Sequence, residues 1–376
     1  MQISTSRSRG IGLYITHLLQ EFRSKKVHNF HYYALSSSIA DFLKTIPSLN
    51  SRKRTIYWIE RGEWLIRDYI IRYRARHDYI SIFHSTDPLF VLPSTRKYKA
   101  IATVYDIIPL LFKEDYMHRN LYGRFRYKTA LKNLLYVDKI ITLSYTSRED
   151  IHRVLGIPKE NIVPIYLGVD RRFAPPQDKK LIEAVKKKYG IDIRYVFYVG
   201  GVDHRKNLLA LLEAFALLQK RHGEKMKLVL AGDDINFNKP QRIKILKKIE
   251  ELSLRESIIL TGYLPIEELV ALYSGAELFC FPSLYEGFGL PVVEAMACGV
   301  PVVTSRVPSL KEVAGEAAYL VDPTSIDEIS EGMYKVLSEE NIRNQLIQKG
   351  FRRASQFSWE RTAQETLKVY EEIGEI

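Results

Sequence analysis

Two carboxylates, Glu286 and Glu294, have the residue type and the spacing that sugar or nucleotide chemistry needs. They stand eight positions apart around a glycine-bearing loop. A carboxylate accepts two hydroxyl hydrogen bonds, so it suits a vicinal diol such as that of a ribose or a hexose. Taken alone, Glu294 also fits a solvated acid that a helix dipole favours.

A second candidate group consists of two cations, Arg205 and Lys206. They follow an apolar stretch that ends at Gly200 and Gly201, and they precede a helix expected from about residue 207 to 218. Basic side chains at a helix start are locally unfavourable. Together with the helix dipole, however, the pair would neutralise a diphosphate. We therefore favour a phosphate-binding role over a chance pair of surface cations.

The stretch 278–304 must position the carboxylates, and its pattern is strand, loop, helix, turn, strand. Gly287 and Gly289 permit close backbone approach, although ordinary turn chemistry would explain them as well. Pro291 suits the first helical position and would place Glu294 in the first turn. The free N–H groups of residues 287–290 would then offer a site for an anion or for hydroxyls.

The string Glu286-Gly-Phe-Gly-Leu-Pro, continued by Glu294-Ala-Met-Ala-Cys-Gly-Val-Pro-Val-Val, resembles the Glu-x7-Glu signature of the retaining glycosyltransferases of family 4. The resemblance implies that Glu294 binds the nucleotide ribose and that Glu286 lies beside the donor sugar. It also implies that Arg205 and Lys206 bind the diphosphate. The backbone N–H groups that would hold sugar hydroxyls and phosphate belong to Gly287, Phe288, Gly289 and Leu290.

Weaker parts of the resemblance add five donor-site candidates. Gly12 matches a first loop that approaches the donor phosphates, ahead of a helix expected from about residue 13. Asp106 matches the acid of a His-Asp-Leu-Ile-Pro loop beside the sugar, with Tyr105 in place of the histidine; an Asx-type turn is the alternative. Gly201 stands where some members carry another arginine. Tyr263 and Leu264 would border the base.

The alternation of strands and helices in both halves predicts two doubly wound α/β domains. The resemblance covers the chain from about residue 10 onward and implies a GT-B fold, in which two Rossmann-like domains face a central cleft. We expect an acceptor-binding domain over 1–170, a linker over 171–192, a nucleotide-sugar-binding domain over 193–357, and a helix over 358–376 that crosses back to the first domain. In the first half, strands are expected at 31–35, 55–59, 79–84, 99–105 and 139–143.

The start of the chain does not fit this pattern. A central parallel strand should precede the Gly12 loop as a run of Val, Ile and Leu. Residues 1–9 contain a single isoleucine. We therefore expect either that residue 1 is an internal start or that the first strand is absent.

Composition indicates a soluble, two-domain protein, with 376 residues, 46% apolar and 27% charged. No apolar run of membrane-spanning length and no signal peptide is evident. Cys280 and Cys298 are expected to be buried thiols of a cytoplasmic protein, and peripheral attachment to the inner face of the membrane stays open. Likewise His84, after a strand, either faces the acceptor or is a structural histidine.

The net charge of +12 lies entirely in the first half. Residues 1–170 hold 27 Lys/Arg against 15 Asp/Glu, and the remainder holds 29 of each. This asymmetry indicates an acidic partner. Within 116–136, basic and aromatic residues alternate, as in helices that lie on anionic membranes. A helix packed on the sheet with a solvated basic face is the alternative. No nucleic-acid-binding module accompanies the segment, so no nucleic acid is expected.

The sequence thus predicts transfer of a hexose from a nucleotide diphosphate sugar to a glycan or lipid-linked hydroxyl, with retention. The form of residues 284–291 resembles mannosyltransferases of surface polysaccharide assembly, so GDP-mannose is the first candidate donor. Glu286, Asp106, Arg205 and Lys206 are the expected catalytic residues. No metal and no cofactor are expected. A nucleotide-sugar epimerase or a sugar phosphorylase could share the fold without this Glu286–Glu294 string, and a nucleic-acid binder would leave the cation pair unexplained.

Overall fold

The computed structural model describes residues 11–25, 73, 80–86, 90–116, 121–176, 179–223, 225–232 and 240–374. The chain divides into two compact units. The first comprises residues 1–167 and 359–376, and the second comprises residues 168–358. The strands expected at 31–35 and 55–59, and the nine residues at the start of the chain, lie outside the described residues.

The first unit contains a parallel sheet of four described strands in sequential order: β1 Ile82–Ser85, β2 Lys99–Val104, β3 Lys139–Thr142 and β4 Ile162–Pro164. The strands expected at 99–105 and 139–143 are confirmed. β1 begins three residues later than expected because Ile82 pairs with Lys99, the first residue of its partner β2. Residues 100–104 are all buried, as a strand covered on both faces requires.

Five described helices precede the second unit: α1 Ile11–Ser24, α2 Ile108–Leu111, α3 Lys113–Tyr116, α4 Leu121–Leu134 and α5 Tyr145–Leu155. The side chain of Ser144 caps α5 by accepting the backbone N–H of Ser147 at 3.0 Å. Gly156 ends the same helix in the left-handed conformation. Cap and terminator agree with the local sequence.

Helix α4 carries most of the basic and aromatic segment. Ala130 and Leu134 belong to the same buried cluster as Ile140 of β3, so one side of α4 packs on the sheet. The opposite side presents Phe125, which is 68% exposed, with Lys128 and Lys132 exposed beside it. Helix α4 is therefore packed on the sheet on one side and presents an exposed aromatic and basic face on the other.

The second unit has a six-stranded parallel sheet of order β10-β9-β8-β5-β6-β7. Its strands are β5 Tyr195–Val199, β6 Lys227–Ala231, β7 Ile258–Gly262, β8 Leu278–Phe281, β9 Val302–Ser305 and β10 Tyr319–Val321. The chain proceeds outward from β5 to β7 and then returns to place β8 on the other side of β5. In open α/β sheets such a reversal leaves a crevice at the carboxyl ends of the two strands.

The described part of the second unit has eight α-helices, of which α7 to α11 connect successive strands, α6 precedes β5, and α12 and α13 follow β10. They are α6 Lys179–Lys188, α7 Leu208–His222, α8 Pro240–Glu251, α9 Ile266–Ser274, α10 Leu290–Ala297, α11 Pro308–Ala314, α12 Ile326–Ser338 and α13 Glu340–Ala354. The structure assigns 171–192, the expected linker, to this unit. Within that segment α6 packs on α9, where Lys188 and Tyr189 both contact Glu268 at 2.5 Å.

The last helix, α14 Trp359–Gly374, belongs to the first unit. Its Thr362 hydroxyl donates to the carbonyl of Tyr166 at 2.7 Å, and the ring of Trp359 stacks on His17. Across the described ranges, no helix is both long and apolar enough to span a bilayer.

Candidate active site

The centre of the candidate site is a carboxylate held between two cations. Glu286 Oε2 accepts a hydrogen bond from Arg205 Nη1 at 2.8 Å, and Glu286 Oε1 accepts one from Lys206 Nζ at 2.6 Å. The exposed fractions of these side chains are 9%, 15% and 12%, so the cluster is largely withdrawn from water. The sequence pointed to each of the three residues but not to their contact.

Sheet topology explains why residues about 80 positions apart meet. Arg205 and Lys206 lie in a 3₁₀ turn, His204–Lys206, after β5, and Glu286 lies in the loop after β8. Because β5 and β8 are neighbours, both loops leave the same edge of the sheet at the point of reversal. The N–H of Leu284 donates to the carbonyl of Arg205 at 2.7 Å and joins the loops directly.

The neighbouring cations determine the protonation state of Glu286. Burial by itself would raise the pKa of this carboxyl, but attraction to Lys206 and Arg205 outweighs burial and holds the pKa below its usual range. Glu286 is therefore a carboxylate at neutral pH. These three side chains sum to one positive charge when both cations are protonated. Burial lowers the pKa of Lys206, and Asp203 adds a negative charge close enough to act on that lysine.

Glycines bring the surrounding backbone close. Gly232, after β6, has φ +155, and a Cβ there would lie 2.0 Å from the carbonyl oxygen of Gly200. The loops after β5 and β6 thus touch backbone to backbone. Gly289 has φ +100 at the start of α10, where a Cβ would lie 2.4 Å from Leu310 Cδ2. Gly201, partly buried, follows Gly200 in the first of these loops.

The loop before α10 is buried as well. Gly287, Phe288 and Gly289 are buried, and Leu290 is the partly buried first residue of the helix. The Phe288 ring packs edge-on against Phe357 at 5.6 Å between centroids. The expectation that these residues lead into a helix is confirmed.

Glu294 is the fifth residue of α10, so the expectation that it lies in the first turn is wrong by one position. The helix begins at Leu290 because Gly289 already has the left-handed conformation of its cap. Glu294 is 9% exposed and accepts a hydrogen bond from the Tyr273 hydroxyl at 3.0 Å. A solvated acid is therefore excluded. Sequence reasoning missed Tyr273, which lies on α9 and carries no local signal of this contact.

Tyr263 and Leu264 follow β7, which is separated from β5 by β6. Tyr263 is 47% exposed, whereas Leu264 is 2% exposed. Gly262 turns the chain at this point with φ +71. Of the two candidates for the base, only Tyr263 offers a substantial surface.

Asp106 and Gly12 belong to the first unit. Asp106 Oδ1 accepts the N–H of Ile108 at 3.0 Å, which is the Asx-type turn considered above. The neighbouring Tyr105 hydroxyl donates to the carbonyl of Thr86 at 3.0 Å. Gly12 was expected in a loop, but it is buried inside α1, whose helix already begins at Ile11. That expectation is wrong because a glycine near a helix start does not delay the helix.

His84 is a structural histidine. Its Nδ1 lies 2.7 Å from the Tyr370 hydroxyl, and its Nε2 lies 2.7 Å from Thr103 Oγ1. Burial lowers the pKa of the ring to about 3, so His84 is neutral. Both ring nitrogens are engaged within the first unit, which leaves neither to face an acceptor.

Cys280 and Cys298 are free and buried, as expected, and burial raises the pKa of both thiols. Among the residues that the structure describes, no group of three or more His, Cys, Asp or Glu side chains could hold a metal ion.

Two family models together match most of the chain. The model described as Glycosyltransferase Family 4 matches residues 8–173. The model described as Glycosyl transferases group 1 matches residues 182–353, which include the cluster of Glu286, Arg205 and Lys206.

Two relatives of this chain are described as mannosyltransferases. The O-antigen chain mannosyltransferase B of Escherichia coli is 34% identical over 335 residues, which are 88% of this chain and 81% of that protein. The MMP alpha-(1->4)-mannosyltransferase of Mycolicibacterium hassiacum is 34% identical over 239 residues, which are 62% of this chain and 54% of that protein.

Solved structures share the fold. The sucrose-phosphate synthase of Thermosynechococcus elongatus has a TM-score of 0.71 at 19% identity, covering 97% of this chain and 94% of its own. Anabaena Alr3699/HepE, solved in complex with UDP and glucose, has a TM-score of 0.74 at 15% identity and covers 98% of each chain. With two parallel-sheet, Rossmann-like units and these neighbours, the chain has the GT-B fold. It therefore belongs to family 4 of the glycosyltransferases and is an enzyme of that class.

Proposed function

We propose that this glycosyltransferase moves a mannose from a nucleotide diphosphate mannose, GDP-mannose first, to a hydroxyl of a glycan or lipid-linked acceptor, with retention at the anomeric carbon. The product would serve polysaccharide or glycoconjugate assembly. The buried contact of Glu286 with Arg205 and Lys206 is the observation that carries the proposal of donor chemistry. The choice of mannose rests on the relatives described as mannosyltransferases.

In the proposed reaction the bond between the anomeric carbon and the diphosphate oxygen breaks, and the diphosphate leaves with the electron pair. Negative charge then grows on the diphosphate. Arg205 and Lys206 would stabilise that charge in a site that excludes water, where fixed cations act most strongly. An arginine has five N–H donors and a lysine three, so both can hold Glu286 and a phosphate oxygen together.

Glu286 would act as an anion beside the sugar. Since its pKa is held low, it is not a general acid at neutral pH. Its two oxygens already accept hydrogen bonds from Arg205 and Lys206, which weakens them as nucleophiles. The geometry thus favours electrostatic stabilisation of the positive charge that develops at the anomeric carbon. The acceptor oxygen would bond on the face that the diphosphate leaves, and the departing diphosphate would take the hydroxyl proton.

The remaining donor contacts follow the same proposal. Glu294 would accept the ribose hydroxyls and Tyr263 would border the base. Gly12 and Gly201 would approach the phosphates, although Gly12 can do so only through the first turn of α1. The first unit would bind the acceptor, and Asp106 would be the polar group of the loop beside the donor sugar.

A further part of the proposal concerns the location of the acceptor. Phe125, Lys128 and Lys132 form an outward face on α4 with an aromatic ring beside two cations. Such a face fits the headgroups of an anionic membrane. We propose that the protein works in the cytoplasm and binds the inner face of the membrane reversibly through this outward face of α4.

The test is incubation of the purified protein with GDP-mannose, UDP-glucose and UDP-N-acetylglucosamine in turn, with and without an oligomannose acceptor. We expect acceptor-dependent release of GDP from GDP-mannose alone, and an α-linked product by NMR. Release of UDP instead would contradict the choice of donor. No nucleotide release with any donor would contradict the proposed function. Isomerised sugar without acceptor would indicate an epimerase, and a requirement for free phosphate would indicate a phosphorylase.

A further inference from the structure

Asn207, the residue after the cation pair, connects three of the loops at the carboxyl edge of the second sheet. Its amide Nδ2 donates to the carbonyl of Pro282 at 3.0 Å and to the carbonyl of Pro323 at 2.6 Å. Pro282 directly follows β8, and Pro323 follows β10 by two residues. Both amide hydrogens are therefore used to hold loops that lie far apart in sequence.

The backbone of Asn207 is equally specific. It has φ +60 and ψ +32, in the left-handed region, which Asn tolerates better than most residues. It ends the 3₁₀ turn, since its N–H donates to the carbonyl of His204, and it begins α7, since its own carbonyl accepts the N–H of Leu211. An Asn in this position usually caps the helix with its side chain. Here the side chain makes no cap hydrogen bond with α7.

The Asn207 side chain lies close in sequence to the cluster of Glu286, Arg205 and Lys206 and bonds to the loop that carries Glu286. Glu286 lies four residues after Pro282, and Lys206 lies one residue before Asn207. The loop after β8 is tied to the cation turn by the Asn207 amide at one point and by the Leu284 N–H to Arg205 carbonyl bond at another. The two ties connect the loop that carries Glu286 to the turn that carries both cations.

We infer that Asn207 is a positioning residue, whose amide fixes Glu286 against Arg205 and Lys206 by holding the loops after β8 and β10. The inference deepens the proposed function and, for its effect on turnover, rests on it. A misplacement of about 1 Å in a reacting group can cost ~100-fold in rate, so this restraint is large enough to matter.

Asn207→Gly is the sharpest variant, because glycine keeps the left-handed backbone and removes only the amide. Asn207→Asp keeps the shape but sets a carboxylate against two carbonyl oxygens. The matched control is Ser253→Gly. Ser253 is the other described non-glycine residue with positive φ, +56, and it lies exposed between α8 and β7, at the opposite edge of the sheet.

Two measurements test the inference on the full chain. Turnover with the donor that the wild type accepts is measured at a temperature where every variant is folded. Hydrogen–deuterium exchange is measured on peptides covering 282–290 and 322–326. For Asn207→Gly we expect turnover to fall by about 10- to 100-fold and both peptides to exchange faster. Asn207→Asp should be at least as slow, and Ser253→Gly should match the wild type in both measurements.

Unchanged exchange in the two peptides of Asn207→Gly would overturn the inference, since the amide would then hold nothing. Unchanged turnover despite faster exchange would overturn it too, because the restraint would have no use in the reaction. If the wild type proves inactive with every nucleotide sugar, the proposed function fails by itself. Exchange in the same peptides then still decides whether Asn207 holds the loops.

Discussion

The Tyr273 hydroxyl donates a hydrogen bond of 3.0 Å to Glu294 Oε2, and it does so from a side chain that is fully buried on α9. The carboxylate is therefore fixed on one oxygen by the protein itself. Glu294 is the carboxylate that we propose for the ribose hydroxyls, and Tyr273 contributes to its orientation. An acid placed in this way is oriented before any ligand arrives, which reduces the entropy lost on binding.

Glu294→Ala should weaken the binding of nucleoside diphosphate, because the ribose loses a charged acceptor. Each such hydrogen bond contributes roughly 1.5–3 kcal/mol. Tyr273→Phe is the control: the carboxylate stays and only its orientation is relaxed, so we expect a smaller loss. Calorimetric titration with GDP measures both variants. Unchanged affinity in Glu294→Ala would contradict the assignment.

Glu286→Gln should lower turnover much more than nucleotide affinity, and it should also change the acid stability of the protein. The pKa of Glu286 is held below its ordinary value of 4.5, so the ionised group stabilises the fold above that pH. This stabilisation is lost as the pH falls below about 4.5 and through the lowered folded-state pKa of Glu286. The Glu286→Gln variant does not lose it, because a glutamine side chain does not titrate. Melting temperatures from pH 6 to pH 3 should converge for the two proteins. Parallel curves would show that the buried pairing does not stabilise the fold.

His84 predicts a second pH window. The pKa of His84 is lowered from 6.5 to about 3 in the folded state. Below pH 6.5 the ring is therefore protonated in the unfolded chain but stays neutral in the folded chain. The free energy of unfolding therefore decreases as the pH is lowered from about 6.5 to about 3, by at most ~1.4 kcal/mol per pH unit. Urea unfolding at pH 7.5, 6 and 5 should show this slope in the wild type and a shallower one in His84→Gln. Equal slopes would mean that the ring protonates in place.

Gly232→Ala should destabilise the second unit more than Gly223→Ala does. Both glycines have positive φ, but a Cβ at Gly232 would meet the carbonyl oxygen of Gly200 at 2.0 Å, whereas at Gly223 it would meet no atom within 4 Å. The control variant should lose only the strain of the left-handed backbone, about 1–2 kcal/mol. Thermal melting with a nucleotide-binding assay measures the difference. Similar losses would show that the two loops can separate without harm.

Lys128→Ser with Lys132→Ser should reduce binding to vesicles that contain anionic lipid. Near such a surface each lysine contributes about 1 kcal/mol, so the double variant should lose ~2 kcal/mol and the effect should fade in high salt. The control is Lys179→Ser with Lys187→Ser on α6, which removes the same charge from exposed positions of the second unit. If both variants float with vesicles as the wild type does, α4 serves another purpose.

The local parts of the candidate site could be predicted from sequence. The strand at 278–281, the glycines at 287 and 289 and the helix after them follow from patterns that span a few residues. The same holds for the helix that begins just after Arg205 and Lys206. Each depends on propensity and on neighbours that the sequence displays side by side.

The contacts between these parts could not be predicted in the same way. Tyr273 meets Glu294, and Asn207 meets Pro323, through tertiary packing that has no periodic signal. At Gly12 a local prediction was wrong, because the loop inferred from this glycine is part of helix α1 in the structure. The resemblance indicated the candidate residues, and the strand order explains which loops bring them into contact.

The strand order of the second unit also has a consequence for the time at which activity can appear during synthesis. Arg205 and Glu286 are 81 residues apart, and β6 and β7 must be made between them. At a ribosomal rate of 5–20 residues per second, Glu286 is synthesised about 4–16 s after Arg205. In that interval β5, β6 and β7 can already pair, with the edge of β5 that belongs to β8 still open. A nascent chain that stops short of β8 therefore presents an unpaired strand edge, and we expect chaperones to bind there.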